Sequence, residues 1–80
     1  MADTRERVIR VVSEVAQAPA EAVARANRFA DLERWDSLLH LNVVLALERE
    51  FGVQFDIAEV TAISSVEEAV AAVERKSQAA

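Results

Sequence analysis

The sequence contains no cysteine and no tyrosine, and it has only one glycine, one proline and one tryptophan. Without cysteine the chain forms no internal disulfide, and any working thiol has to come from a cofactor. Few glycines and prolines leave few positions for tight turns. No apolar run approaches the ~18 residues that a membrane-spanning helix needs, and the first residues lack the basic-then-apolar pattern of a secretion signal. We therefore expect a cytoplasmic protein without a membrane segment.

Basic residues are also scarce. Nine lysines and arginines stand against fourteen aspartates and glutamates, which gives a net charge of -5. Nucleic-acid binding needs basic patches that meet the phosphates, so the charge argues against a nucleic-acid partner and favours basic protein partners. A lone histidine without clustered ligands makes a poor metal site, so we predict no metal.

Apolar and helix-forming residues are abundant. Of the 80 residues, 52% are hydrophobic and 29% are charged, a balance that is typical of a folded domain rather than a disordered chain. A domain of this size buries only about 60% of the surface that its unfolded chain exposes. Residues 1–80 therefore predict one domain with a thin core, and a large enclosed active site is not expected.

Apolar periodicity predicts an all-α fold, a small four-helix bundle with three long helices and one short helix. The predicted helices cover about 4–17, 36–51, 57–62 and 65–76. The segment from Ala18 to Arg34 is the least regular part and suits a crossover between near-parallel helices. Pro19 in that segment ends the first helix or opens a short helix of its own. Val53 and Phe55 alternate with polar residues, but two positions are too few for a sheet, so we predict a packed connection.

The predicted helix at 36–51 has defined ends and an apolar stripe. Asp36 suits its N-cap, because the carboxylate accepts hydrogen bonds from free N–H groups and complements the positive end of the helix dipole. Ser37 then falls in the first turn with an exposed hydroxyl. Gly52 follows the last periodic residue, where glycine takes a positive φ at little cost. The residues predicted to share the core-facing side are Leu41, Val44, Leu47 and Phe51, and Val43 widens this side.

Several runs of residues form one pattern along the chain. Asp36-Ser37-Leu38 starts a helix that ends in Leu47-Glu48-Arg49-Glu50-Phe51-Gly52-Val53; Phe29-Ala30-Asp31-Leu32 precedes it and Ile63-Ser64-Ser65-Val66 follows it. The pattern resembles the prosthetic-group site and the flanking segments of acyl carrier proteins, over about Val8 to Val73. Asp-Ser-Leu alone is a weak signal, but between these flanks in a chain of this length it is a strong one.

In acyl carrier proteins the matching serine carries 4′-phosphopantetheine through a phosphodiester, so the resemblance implies that Ser37 is the attachment point. The thiol of this arm would hold acyl intermediates as thioesters, and Asp36 would help to place the metal of the phosphopantetheinyl transferase. The chain would be a monomeric carrier, not an enzyme, with no catalytic residue. The implied partners are the phosphopantetheinyl transferase, an acyl-loading ligase or acyltransferase, and a ketosynthase or other acyl-processing enzyme of fatty-acid, polyketide or related specialised biosynthesis.

Residues near the serine predict where these partners dock. The docking candidates on this helix are Leu38, Leu39, His40, Leu45 and Glu48. Acidic residues are few here, so we expect docking to depend on apolar contact, with Glu48 as the main charged anchor. Trp35 departs from the common family pattern and serves either as a core plug or as a wall beside the arm. Together with His40, it makes the segment similar to stand-alone carriers of specialised pathways.

Three alternatives stay open. A peptidyl or aminoacyl carrier shares the arm and the bundle. A helical interaction module without a prosthetic group would contain Ser37 only as a first-turn serine, which local hydrogen bonding favours. A small hydrolase would pair Ser37 with His40, three residues further along the same face, but the sequence has no Gly-x-Ser-x-Gly turn and no oxyanion-hole motif.

Overall fold

The computed structural model describes residues 3–79, with side chains through Ser77, and this part of the chain is α-helical without strands. The predicted all-α bundle is confirmed. The described residues form five helices, one more than the four predicted, and the additional one is the short helix that the sequence left open after Pro19. The helices are α1 (Thr4–Ala16), α2 (Ala20–Arg25), α3 (Ser37–Phe51), α4 (Ile57–Ala62) and α5 (Val66–Ala79), and a 3₁₀ turn covers Phe29–Asp31.

The additional helix, α2, follows a corner at the end of α1. Gln17 closes α1 in the left-handed region with φ 54°, and the Ser13 hydroxyl donates a hydrogen bond to the Ala18 carbonyl at 2.6 Å. Pro19 is the N-cap of α2 rather than its first helical residue. The short helix then buries Val23 completely. The segment that we predicted to be irregular therefore contributes to the core.

Helix α1 contacts α2, α3 and α5 and is the centre of the bundle. Burying each large apolar side chain stabilises the fold by about 1.5–3 kcal/mol in transfer free energy. The larger buried side chains come from the helices and from their connections, and they include Val8, Val12, Val23, Phe29, Val43, Val44, Leu47, Ile63, Val66 and Val73. No helix in the described part of the chain combines the length and apolar character that crossing a membrane requires.

The buried side of α3 agrees with the predicted one at Val43, Val44 and Leu47 but not at Leu41. Its fully buried residues are Val43, Val44 and Leu47, whereas Leu41 is 46% exposed and was predicted to face the core. The reason is that α3 is apolar on most of its circumference. Two apolar stripes with steps of three and four residues could therefore each face the core. Contact with α1 selects the stripe that contains Val43 and leaves Leu41 on the outer side.

Polar contacts at the C-terminal end of α3 fix its position. Glu50 accepts hydrogen bonds from Arg7 at 3.1 Å and from Arg10 at 2.9 Å, both on α1. The Arg7 guanidinium also lies 4.4 Å from the centre of the Phe51 ring, a cation–π contact. These contacts hold α3 against α1 at the end opposite to Ser37. The position of the whole helix, including its first turn, is therefore fixed.

The connection from α3 to α4 contains no regular structure and is held by hydrogen bonds that include one to the Glu48 carboxylate. Gly52 ends α3 in the left-handed region with φ 66°, as the sequence predicts. Phe55 is half-buried against the core, and its N–H donates a hydrogen bond of 2.7 Å to Glu48. Asp56 then caps α4 by accepting from the Glu59 N–H at 2.8 Å.

Candidate functional site

Ser37 is the first residue of α3, and its side chain is exposed. The preceding residue, Asp36, is extended with φ -147° and ψ -178°, so the chain enters the helix abruptly. The Asp36 carboxylate accepts a hydrogen bond of 2.7 Å from the Leu39 N–H, and its carbonyl accepts one of 2.9 Å from the His40 N–H. This capping geometry presents the hydroxyl to solvent at the positive end of the helix dipole.

Three aromatic rings lie beneath this helix start. Trp35 stacks on Phe29 with ring centres 5.0 Å apart, and His40 meets Trp35 edge-on at 5.8 Å. Phe29 is buried, whereas Trp35 and His40 are half-buried. The Phe29 N–H also donates a hydrogen bond of 2.8 Å to the Ser64 carbonyl, which fixes the base of the aromatic cluster to the connection before α5. The residues that precede Ser37 are therefore anchored to the core.

The His40 ring connects α3 to α4. Its Nε2 lies 2.9 Å from the Val60 carbonyl oxygen. Because a carbonyl oxygen can only accept a hydrogen bond, Nε2 carries the proton and is the donor. His40 was predicted as a docking residue, and its ring is half-buried between Trp35 and α4. Nδ1 is then the acceptor nitrogen of the ring, and the hydrogen bonds of the described residues do not join it to Ser37, so the structure gives no support to the hydrolase alternative.

A shallow depression adjoins the serine. It has a volume of about 420 Å³ and is lined by Trp35, Asp36, Ser37, His40, Val60 and Thr61. Trp35 packs against the core and also lines this depression, and its role as a wall beside the arm stays a prediction. The contribution of α4 was missed, since a contact through a backbone carbonyl leaves no signal in the sequence. A second groove of about 490 Å³ beside α2 shares none of these residues.

The docking candidates occupy different environments. Leu38 is 68% exposed and Leu45 is 46% exposed, whereas Leu39 is half-buried. Glu48, predicted as the charged anchor, is half-buried and accepts the hydrogen bond from the Phe55 N–H. Its carboxylate therefore points into the connection after α3 rather than freely into solvent. The prediction overlooked Leu41, because sequence periodicity had assigned it to the core.

The sequence of this all-α domain matches the model of a known family. The family model described as a phosphopantetheine attachment site covers residues 6–73 of the chain. The chain therefore belongs to the phosphopantetheine attachment-site family and is a phosphopantetheine carrier protein. In this family 4′-phosphopantetheine is attached covalently to a serine. Such attachment needs an accessible hydroxyl in surroundings that tolerate a phosphate, and the exposed start of α3 meets both requirements.

Proposed function

We propose that Ser37 is the serine that carries 4′-phosphopantetheine. The observation that supports this assignment is that the other serines of the matched region use their hydroxyls as hydrogen-bond donors within the fold. Ser13 donates to the Ala18 carbonyl, and Ser64 and Ser65 both donate to the Glu68 carboxylate. Ser77 lies beyond the residues that the family model matches. Ser37 is the exposed serine at the start of a long helix.

The surroundings of Ser37 suit a phosphodiester. The backbone N–H groups of the first turn and the helix dipole favour a negative group at this end of α3. Asp36 already satisfies the Leu39 N–H, so its carboxylate is held at the helix start. When bound, the prosthetic group supplies the thiol that this cysteine-free chain lacks. The residues of the chain hold the attachment point steady, and activating the hydroxyl is the task of the transferase.

We infer that the cargo is an acyl group, which makes the chain an acyl carrier protein of fatty-acid, polyketide or related specialised biosynthesis. Its partners are then a phosphopantetheinyl transferase, an acyl-loading ligase or acyltransferase, and a ketosynthase or other acyl-processing enzyme. A carrier of this kind raises the effective concentration of its cargo, because tethering replaces free diffusion. The domain itself contributes no catalytic group to these reactions.

Mass spectrometry tests the attachment point. After incubation with coenzyme A and a phosphopantetheinyl transferase, the wild-type chain should gain one phosphopantetheine arm, and Ser37→Ala should gain none. Ser64→Ala is the matched control and should be modified like the wild type, since its hydroxyl is engaged by Glu68. An unmodified wild type, or an arm that persists in Ser37→Ala, would reject the assignment.

Loading of the modified chain then tests the cargo. An acyl ligase or acyltransferase should load the modified wild type, whereas an aminoacyl-activating ligase should not. Loading by the aminoacyl-activating ligase alone would favour the peptidyl or aminoacyl carrier instead. That result would change the cargo class and would leave Ser37 as the attachment point.

A further inference from the structure

The depression beside Ser37 is separated from the hydrophobic core. The residues that line it are half-buried or exposed, and they are Trp35, Asp36, Ser37, His40, Val60 and Thr61. Among the described residues, the fully buried side chains of the core do not take part in this lining. A group that occupies the depression therefore lies outside the bundle.

Stacked rings close the way from the depression to the core. Trp35 stacks on Phe29 with ring centres 5.0 Å apart, and His40 meets Trp35 edge-on at 5.8 Å. The His40 and Phe29 ring centres are 6.5 Å apart, so each ring lies within the range of an aromatic pair with the other two. Phe29 is only 2% exposed and belongs to the core. A chain that entered at this point would have to separate the rings.

A hydrogen bond closes the boundary between α3 and α4 at the same place. Nε2 of His40 donates to the Val60 carbonyl of α4 at 2.9 Å. His40 thus makes two closing contacts, one with the stacked rings and one with the neighbouring helix. We name the Phe29, Trp35 and His40 rings, together with the bond from His40 to Val60, the aromatic barrier.

The aromatic barrier bears on the cargo because an acyl chain is apolar and tethered. Moving each CH₂ group out of water is favourable, and tethering raises the local concentration of the chain. A long saturated chain therefore enters any apolar recess that it can reach. We propose that the aromatic barrier excludes the carried acyl chain from the core, that His40 holds the barrier closed, and that the cargo is a short or polar-substituted acyl group. This inference rests on the proposed function of Ser37.

The lining of the depression suits a cargo with polar substituents. The Thr61 hydroxyl donates to the Ile57 carbonyl at 3.0 Å and keeps its acceptor lone pairs. Nδ1 of His40 is an acceptor, and Asp36 adds a carboxylate to the same lining. Hydroxyl groups on an acyl chain are donors, so they match these acceptors, whereas a saturated chain has nothing to donate.

Thermal denaturation of acyl-loaded carriers tests the aromatic barrier. A transferase that modifies the wild type attaches acyl arms from coenzyme A analogues that hold an acetyl, octanoyl or dodecanoyl group through a stable amide. The melting temperature of the wild type should change by less than about 2 °C across this series, because the longer chains gain no burial. In His40→Ala, the dodecanoyl form should melt at least about 5 °C above the acetyl form, because the opened core buries CH₂ groups.

Two further variants control this comparison. Asn42→Ala changes an exposed residue of the same helix and should behave like the wild type. His40→Gln keeps an N–H donor for the Val60 carbonyl but lacks the ring, so its response to chain length should be smaller than that of His40→Ala. If His40→Ala does not fold, the wild-type series and His40→Gln still test the proposal.

Methyl NMR and chromatography report where the chain lies. Between the acetyl and dodecanoyl forms of the wild type, methyl signals should shift only around the depression, at Val60 and Thr61, and not at the buried Val43 and Ile63. On a hydrophobic-interaction column, the dodecanoyl wild type should be retained longer than the acetyl wild type, because its chain is exposed. The dodecanoyl form of His40→Ala should be retained less than the dodecanoyl wild type.

The possible failures are distinguishable. A wild-type melting temperature that rises with chain length, with shifts at Val43 and Ile63, would overturn the proposal, because the chain would then enter the core of the intact protein. A His40→Ala variant that responds to chain length like the wild type would overturn the role given to His40. A wild type that never receives the arm, as seen by mass spectrometry before any acyl forms are compared, would instead reject the proposed function of Ser37.

Discussion

At the scale of single residues, Asp36 defines where the site begins. Its carboxylate satisfies the Leu39 N–H at 2.7 Å, one of the N–H groups that a helix start leaves without a partner. It also precedes Ser37 directly and lines the same depression. One side chain thus has a structural role as a cap and a proposed role toward the metal of the transferase. Different substitutions of Asp36 distinguish the structural role from the proposed one.

Replacing Asp36 by alanine or asparagine distinguishes these roles. Asp36→Ala removes the capping acceptor and should lower the free energy of unfolding by about 1 kcal/mol, measured by urea denaturation. Asp36→Asn keeps an acceptor of similar strength and should unfold like the wild type. Because the amide lacks the charge, Asp36→Asn should nevertheless be modified more slowly with coenzyme A. Wild-type modification rates in Asp36→Asn would leave the residue with its capping role alone.

Residues whose environment depends on distant parts of the chain were predicted less well than Asp36. Glu48 was predicted as a charged docking residue, but its carboxylate binds the Phe55 N–H. His40 was predicted as a docking residue, and its ring also binds the Val60 carbonyl. In both cases the partner is a backbone group brought close by the fold, and backbone groups are the same at every position. The sequence carries no signal for such contacts.

At the scale of elements, the ends of α3 could be predicted because capping is local. Asp36 and Gly52 occupy the two cap positions that their residue types favour. The rotation of α3 could not be predicted in the same way. Leu41 and Val43 are both apolar, and only contact with α1 decides which of them is buried. Whether α2 forms could not be decided from the sequence either, because a helix of six residues contains too few positions to show an apolar period.

Helix α4 is held mainly by polar contacts, since none of its residues is buried. Asp56 and Glu59 form a reciprocal capping box at its start. Glu59 also forms an ion pair of 2.8 Å with Lys76 of α5, and the Val60 carbonyl accepts from His40. The element that completes the depression beside Ser37 therefore depends on charged groups, and its stability should depend on pH.

The pKa of Glu59 lies below its usual value of 4.5, chiefly because Lys76 donates a hydrogen bond to the carboxylate, with a second contribution from the Asp56 N–H. A carboxyl group whose pKa is lower in the folded state stabilises the fold above its unfolded pKa, and this contribution disappears as the pH falls through the folded pKa. Glu59→Gln keeps an acceptor for the cap but loses the charge.

We therefore predict that the wild type is more stable than Glu59→Gln at neutral pH and that the difference closes as the pH falls below the usual value of 4.5. Urea denaturation across this range measures the difference, and hydrogen exchange of the α4 amides locates it. Glu74→Gln, at an exposed position of α5, controls for the loss of one negative charge. A difference that stays constant with pH would contradict the role of the ion pair.

At the scale of the whole molecule, one thin core supports every feature of the site. Buried residues of α1, α3 and α5 form a single cluster that also includes Phe29. Trp35 packs against this cluster and stacks on Phe29, so the core reaches the residue next to the cap of α3. A chain of this length has a net stability of about 4–12 kcal/mol. A substitution that leaves one large cavity in such a core therefore removes a substantial part of this stability.

Two leucines of α3 contrast a core position with a predicted docking position. Leu47 is fully buried, whereas Leu45 is 46% exposed. Leu47→Ala should lower the free energy of unfolding by about 2–5 kcal/mol, because it loses apolar burial and leaves a cavity. Leu45→Ala should change it by less than about 0.5 kcal/mol and should instead slow modification with coenzyme A. Urea denaturation and modification kinetics on both variants measure the contrast. Equal destabilisation by the two substitutions would mean that α3 is rotated differently, with Leu45 part of the core.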